Sequence, residues 1–217
     1  MKKIIPAILT MIACLLPITA FADYIGIARS EFNSHYRKQE GLMLCWAASA
    51  EMVLSYEGIS LPQQAIVSRA RGILTDAPGN PFEMFRSTNG VFNTQNHGRA
   101  VISGQFVQGP PAPTVLYNQL KNRRPIILLY QSGPWSGHAV VLIGIDATVT
   151  ASTFGSEIQI SRLHIFDPFS YRQVPTPYGP QFQHDPSMIF HIYNFQSPPN
   201  LFPGQITGAY LVDGTTL

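Results

Sequence analysis

Residues 39–58 read QEGLMLCWAASAEMVLSYEG and carry the pattern on which the fold assignment rests. Apolar side chains recur at three- and four-residue spacing over 44–56, which predicts a mostly buried helix that begins near Cys45. Gly58 marks the expected end of this helix. Cys45 therefore stands at a helix start, directly before a tryptophan and six residues after Gln39.

The first 22 residues have the pattern of a secretory signal peptide. Lys2 and Lys3 precede an apolar run, and Ala20-Phe21-Ala22 forms a small-x-small cleavage motif. We expect cleavage to leave a secreted or periplasmic chain that begins at Asp23. Two alternatives are an N-terminal membrane anchor, for which the apolar run is short, and lipidation at Cys14.

Removal of residues 1–22 changes both the charge and the cysteine content. Two of the 14 Lys and Arg residues lie there, so the remaining 12 balance the 12 acidic residues. A chain without net charge offers no electrostatic case for binding nucleic acid or an anionic membrane. Cys45 becomes the only cysteine, and in an exported protein such a residue is either an intermolecular link or a reactive thiol. Residues 23–217 suit a single domain, which we expect to be monomeric.

The rest of the chain predicts helices followed by a mostly antiparallel sheet, an α+β fold. Further helices are expected over 62–72, near 81–87 and over 113–124. Otherwise, 73–112 is rich in Pro, Gly, Asn and Thr, and we expect long loops there. Residues 23–43 have weak periodicity and resemble a lead-in segment.

Strand patterns dominate the second half. IILLY (126–130) and GHAVVLIGID (137–146) are continuous apolar runs typical of buried strands. EIQISRLHIFDP (157–168) is expected to return as a hairpin strand after a turn near 152–156. Later candidates are a short strand in 169–178 and two apolar segments, MIFHIYNF (188–195) and GAYLVDG (208–214), of which the second predicts a strand.

Cys45 is the first candidate for chemistry. A helix N-terminus concentrates partial positive charge, which favours a thiolate, and a neighbouring imidazolium favours it further. Gln39 could fold back over a short loop, which Gly41 would ease, and donate to an oxyanion. The alternatives are a buried, inert cysteine and an ordinary exposed glutamine.

His138 and Asp167 are candidates to act with the thiol. His138 follows a glycine and opens a strongly apolar strand, where the alternative is a half-buried structural histidine. Asp167 ends the returning strand, where a carboxylate can orient the imidazole. Asp146 lies roughly 25 Å from His138 along the same strand and is too far to do so. Trp135 precedes His138 closely and either packs or shields its hydrogen bond from water.

In combination, these motifs resemble the papain-like cysteine peptidases. The residues that carry the resemblance are Q-x5-C-W-A-A-S over 39–49, G-H-A-V-V-L-I-G over 137–144 and D-P at 167–168. The similarity is greatest to a bacterial branch that includes plant-pathogen effector proteases and the double-glycine peptidases of bacteriocin leaders.

The resemblance implies a papain-like fold and a role for each candidate. Carried over, the oxyanion donor is Gln39, the nucleophile Cys45, the base His138 and the orienting residue Asp167. It further implies hydrolysis of peptide bonds in a peptide or protein substrate. No pair of histidines has a metal-ligand spacing and one cysteine cannot form a Cys-rich zinc site, so we expect no metal and no cofactor. Two other interpretations stay open: a catalytically silent binding protein on the same scaffold, and a thiol amidase or acyltransferase that acts on a non-protein amide.

Overall fold

A computed structural model describes residues 22–133, 136–152, 155–169, 171–184 and 205–216. Within these ranges the helices are α1 (Arg29–Phe32), α2 (Cys45–Tyr56), α3 (Gln63–Arg71), α4 (Pro81–Thr88) and α5 (Pro113–Lys121), with a 3-10 turn at Asn33–His35. The strands are β1 (Asp23–Gly26), β2 (Gly90–Asn93), β3 (Arg99–Gln108), β4 (Ile126–Gly133), β5 (Ser136–Ser152), β6 (Gly155–Phe166), β7 (Tyr171–Thr176), β8 (Gly179–His184) and β9 (Gln205–Thr216).

Seven of these strands form one antiparallel sheet. Their order is β1-β5-β4-β9-β3-β2, and β6 pairs with β5 beside this path. β5 and β6 form the hairpin that the sequence predicts, with Ser152 opposite Gly155. β7 and β8 pair only with each other.

The sheet is covered by helices on both faces, which explains the continuous apolar runs. Ile127 of β4 and Val141 of β5 belong to the core beneath α2, α3 and α4. Their neighbours Leu128 and Val140 point to the other face, where they pack with Leu116 of α5. A strand that buries both faces has no polar side to alternate with.

The helices confirm the predictions for α2, α3 and α4. α2 begins at Cys45, and nine of its twelve residues are buried, so it lies in the core rather than on the surface. α3 ends at Arg71, and Gly72 directly after it adopts the left-handed conformation that suits a helix C-terminus. Asn80 and Glu83 form a capping box at the start of α4.

The prediction of long loops over 73–112 is wrong in its second half. Residues 90–93 and 99–108 form the hairpin of β2 and β3, and β3 pairs with β9 from Ala100–Thr216 to Gln108–Gly208. β3 buries only two of its ten side chains, so its apolar alternation is weak. Its pairing partner is about 110 residues away, where local sequence patterns cannot reveal it.

β1 and β9 are the first and last strands that the structure describes. The lead-in segment contains β1, which pairs with β5 from Asp23–Ala147 to Gly26–Gly144. β9 confirms the strand expected at 208–214. The segment 188–195 lies outside the described residues. No helix among the described residues is long and apolar enough to span a membrane.

Candidate active site

Cys45 is the first residue of α2, as the sequence predicts. The preceding residue, Leu44, provides no side-chain hydrogen bond to cap the helix. The first-turn N–H groups therefore lie at the helix end without a side-chain hydrogen bond from Leu44. This end of the helix favours negative charge, whether on a thiolate or on a substrate oxygen.

His138 and Asp167 are brought together by the strands that carry them. His138 lies on β5, and Asp167 follows the last residue of β6, the strand paired with β5. Nε2 of His138 lies 2.7 Å from Oδ1 of Asp167. This bond leaves Nδ1 as the ring nitrogen available to another partner. Asp146 is too distant to orient His138 and is instead bonded to His164, at 2.8 Å.

The surroundings of His138 favour its protonated form. Burial lowers the pKa of the imidazole, but hydrogen bonds with Asp167 and with Cys45 outweigh burial and raise the pKa from 6.5 to about 9. At neutral pH the ring is therefore an imidazolium that contacts Cys45, and a positive partner of this kind stabilises a thiolate.

Asp167 is itself held in place by several contacts. Its Oδ1 accepts a hydrogen bond from the Phe169 N–H at 2.8 Å, and its backbone carbonyl accepts one from the Tyr36 hydroxyl at 3.0 Å. Its side chain is nearly buried. These contacts restrict the carboxylate to the orientation that meets His138.

Gln39 lies close to the same turn, but its amide faces its own loop. The Gln39 N–H donates to the Pro168 carbonyl at 3.0 Å, which ties this loop to the Asp167 turn. Its Nε2 donates to the carbonyls of Gly41 and Leu42, at 2.7 and 3.0 Å. Oε1 is buried and has no hydrogen-bond partner. The side chain is thus internal, not the exposed glutamine of the alternative interpretation.

A cleft of ≈ 340 Å³ opens beside Cys45 and His138. The helical layer lines it with Met43, Trp46 and Met84 among others, and the sheet lines it with Leu129 and Tyr130 among others. Among the described residues, no Asp, Glu, Lys or Arg side chain lines the cleft. The cleft is suited to uncharged groups placed next to the thiol.

Tyr130 is a site residue that the sequence analysis missed. It lies directly opposite His138 in the β4–β5 pairing, and the two rings meet edge to face with centroids 5.3 Å apart. Burial and the charges of Asp167 and Cys45 raise the pKa of Tyr130 well above its ordinary value, so the hydroxyl stays neutral. The apolar run 126–130 ends in this tyrosine, and a predicted β4–β5 register would have placed it there. Trp135, for which packing and shielding of the His138 hydrogen bond were both open, lies outside the described residues.

Among curated proteins, no sequence matches the chain significantly. One solved structure that is similar, a double glycine motif protease from an AMS/PCAT transporter in complex with the leader peptide, shares 15% sequence identity at a TM-score of 0.43. That match covers 91% of this chain and 96% of the other. A family model described as papain-like cysteine protease AvrRpt2 matches residues 29–174, which is more than half of the chain. The chain therefore belongs to the AvrRpt2 family of papain-like cysteine proteases.

Proposed function

We propose that this protease is exported and that Cys45, His138 and Asp167 form its catalytic triad, with Gln39 as an oxyanion donor. One observation carries the proposal. A single imidazole is bonded through Nε2 to Asp167 and is also hydrogen-bonded to a thiol at a helix start. A nucleophile, a base and an orienting group in contact are the minimum that such catalysis needs.

The reaction begins with the Cys45 thiolate, which attacks the carbonyl carbon of the scissile peptide bond. A C–S bond forms, and the carbonyl oxygen becomes an oxyanion in front of the α2 N-terminus, where the Cys45 N–H can donate to it. The His138 imidazolium gives its proton to the departing amine, and the C–N bond breaks. Water then loses a proton to His138 and attacks the thioester carbon, which releases the carboxylic acid and the thiolate.

The role of Gln39 requires a change in its hydrogen bonds. Both of its N–H donors are directed at loop carbonyls in the free protein. One of them has to be shared with the substrate oxygen as negative charge develops there. Because a hydrogen bond to a charged acceptor is roughly twice as strong as one to a neutral carbonyl, the exchange is favoured at the moment of attack.

The cleft supports a polypeptide substrate with uncharged side chains near the cleaved bond. Its described lining is mostly apolar, and the charged groups beside it belong to the reacting pair. An uncharged side chain would lose little hydration there, whereas a carboxylate or ammonium would have no partner.

Export is supported by the pattern of residues 1–22, and cleavage after Ala22 would leave all of β1 in the chain. β1 starts at Asp23, the residue that follows the expected cleavage site. Intact-mass measurement of protein recovered outside the cytoplasm should give a chain that begins at Asp23. Recovery of an exported chain that retains residues 1–22 would contradict this part of the proposal.

Peptide profiling tests the activity itself. The mature protein is incubated with a proteome-derived peptide library, and new termini are identified by mass spectrometry. We expect cleavage by the wild type and none by Cys45→Ala or His138→Ala, both folded as judged by circular dichroism. Equal cleavage by a folded Cys45→Ala protein would contradict the proposal, and absence of cleavage by the wild type would favour a catalytically silent binding protein.

A further inference from the structure

Asp76 contacts the loop that precedes Cys45. It lies between α3 and α4, in the segment that the sequence predicts to be a loop. Its Oδ2 accepts a hydrogen bond from the Leu42 N–H at 2.9 Å, and its Oδ1 accepts one from the Met43 N–H at 2.8 Å. One carboxylate therefore binds two successive N–H groups only two and three residues before the thiol.

The two peptide groups that Asp76 binds are the same two that hold Gln39. The first consists of the Gly41 carbonyl and the Leu42 N–H, and the second of the Leu42 carbonyl and the Met43 N–H. Both carbonyls accept from Gln39 Nε2, while both N–H groups donate to Asp76. Since a peptide group is planar, its C=O and N–H turn together, and fixing one direction fixes the other.

The position of Asp76 therefore sets the direction of both carbonyls and, through them, the position of the Gln39 amide. A carboxylate that binds the N–H fixes the plane of the peptide group, and with it the direction of the carbonyl that accepts from Gln39 Nε2. The other end of the amide, Oε1, is buried without a hydrogen-bond partner, so the loop carbonyls orient the side chain through Nε2.

Residue 41 is a glycine, which leaves room for the Asp76 carboxylate. A β-carbon placed on Gly41 would lie 2.6 Å from Asp76 Oδ1, and its three nearest atoms all belong to the Asp76 carboxyl group. The Gly41 backbone is not among those with positive φ. The glycine is therefore required by the close approach of Asp76 and not by an unusual backbone conformation.

Asp76 is anchored in turn to the helix that carries the thiol. The next carbonyl, that of Ala77, accepts a hydrogen bond from Trp46 Nε1 and another from Arg71, each at 3.2 Å. Trp46 is the residue after Cys45. The segment around Asp76 is thus fixed relative to the first turn of α2.

We propose that Asp76 is a positioning residue, whose carboxylate sets the loop 41–43 and thereby aims the Gln39 amide at the developing oxyanion. This inference rests on the proposed function. Asp76 acts on the step that creates negative charge on oxygen and not on the reactivity of the Cys45 thiol.

Two reagents separate these two properties of the same thiol. p-Nitrophenyl acetate acylates a thiolate by attack at a carbonyl, which passes through an oxyanion and releases p-nitrophenolate. Iodoacetamide alkylates it by displacement of iodide at a saturated carbon, where no oxyanion forms. Rates of both reactions at Cys45 are measured by intact mass for the wild type, Asp76→Ala and Asp76→Asn, with Cys45→Ala as the blank.

We expect both Asp76 variants to be acylated on the order of tenfold more slowly, a smaller loss than the roughly hundredfold or more that follows removal of an oxyanion donor itself. Asparagine offers an oxygen to only one of the two N–H groups, so it cannot restore the contact. Alkylation should not slow, because removal of a nearby negative charge favours the thiolate. Asp213→Asn is the matched control. It removes a carboxylate on β9 that pairs with Arg124, and it should leave both rates unchanged.

Gly41→Ala gives an independent reading if an Asp76 variant folds poorly. Its methyl group must displace the Asp76 carboxylate, so it should slow acylation in the wild-type background. In the Asp76→Ala background the space is free, and the same change should have little further effect.

The outcomes are distinct. Acylation unchanged in the Asp76 variants, an equal fall in acylation and alkylation, or additive effects of Gly41→Ala and Asp76→Ala would each overturn the role of Asp76. A wild-type Cys45 that reacts with both reagents no faster than a free thiol at pH 7 would instead overturn the proposed function.

Discussion

The proposed chemistry depends on the imidazole of His138. Asp167 binds one ring nitrogen, the Cys45 thiol is hydrogen-bonded to the same ring, and the Tyr130 ring packs edge to face with it. Burial by itself would favour neutral imidazole, yet the two hydrogen bonds outweigh burial. The ring is thereby kept as an acid at the pH where a thiolate must exist beside it.

Asp167→Asn should lower the pKa of His138. The substitution removes a negative acceptor that raises this pKa to about 9, so the midpoint should move toward the ordinary value of 6.5. Nitrogen-15 NMR of the histidine rings across pH measures the midpoint in each protein, and His138→Gln identifies the signal. An unchanged midpoint in the folded variant would show that Asp167 does not control the imidazole.

At the level of single residues, the sequence identified candidate site residues better than it predicted which residues contact them. The sequence singled out Cys45, His138, Asp167 and Gln39 as candidates, because each has an unusual position in its local pattern, and the structure brings the first three into contact. Tyr130 and Asp76 were missed, because their importance comes from register and from a contact across 34 residues of chain. No periodicity within a short window encodes such a contact.

Helices and strands that depend on nearby residues were predicted, whereas strands that depend on distant partners were not. α2, α4 and the β5–β6 hairpin follow from apolar spacing, caps and turns within about 30 residues. β1 and β3 do not, because each is stabilised mainly by a strand far away in the sequence. β3 in addition buries too few side chains to show a strand pattern.

Packing of the segment after α3 against α2 should be intolerant of added volume. A β-carbon at Gly79 would lie 2.4 Å from the Trp46 ring, and that ring is buried and cannot move aside. We expect Gly79→Ala to lower the free energy of unfolding by about 1–3 kcal/mol, the usual cost of overpacking. Urea denaturation measures this change.

Gly137→Ala is the control for this substitution. It adds the same methyl group on the opposite wall of the cleft, where the nearest atom would be 3.8 Å away, an ordinary contact. Equal loss of stability in the two variants would mean that the Gly79–Trp46 contact is not what makes the segment sensitive.

At the scale of the whole molecule, two layers meet at the proposed active site. The helical layer supplies Cys45, and the sheet supplies His138 and Asp167, so the proposed triad forms only when the layers are docked. Folding and the ionisation of the site are therefore linked.

The linkage predicts how stability depends on pH. The folded-state pKa of His138 is about 9 and lies above its unfolded value of 6.5, so the stabilisation it provides is fully present below pH 6.5. This contribution is lost as the pH rises through about 9, and it amounts to roughly 3 kcal/mol at most. Unfolding free energies measured from pH 6 to 10 should fall more steeply for the wild type than for His138→Ala. Parallel curves for the two proteins would contradict this linkage.

The most direct test of the central claim is the pH dependence of Cys45 alkylation by iodoacetamide, followed by intact mass from pH 4 to 10. An imidazolium beside the thiol should keep the wild-type reaction fast well below pH 8, whereas His138→Ala, which lacks this positive partner, should react slowly there. A folded wild-type protein whose Cys45 is alkylated no faster than that of the variant below pH 8, or does not react, would contradict the assignment of Cys45 and His138 as a catalytic pair.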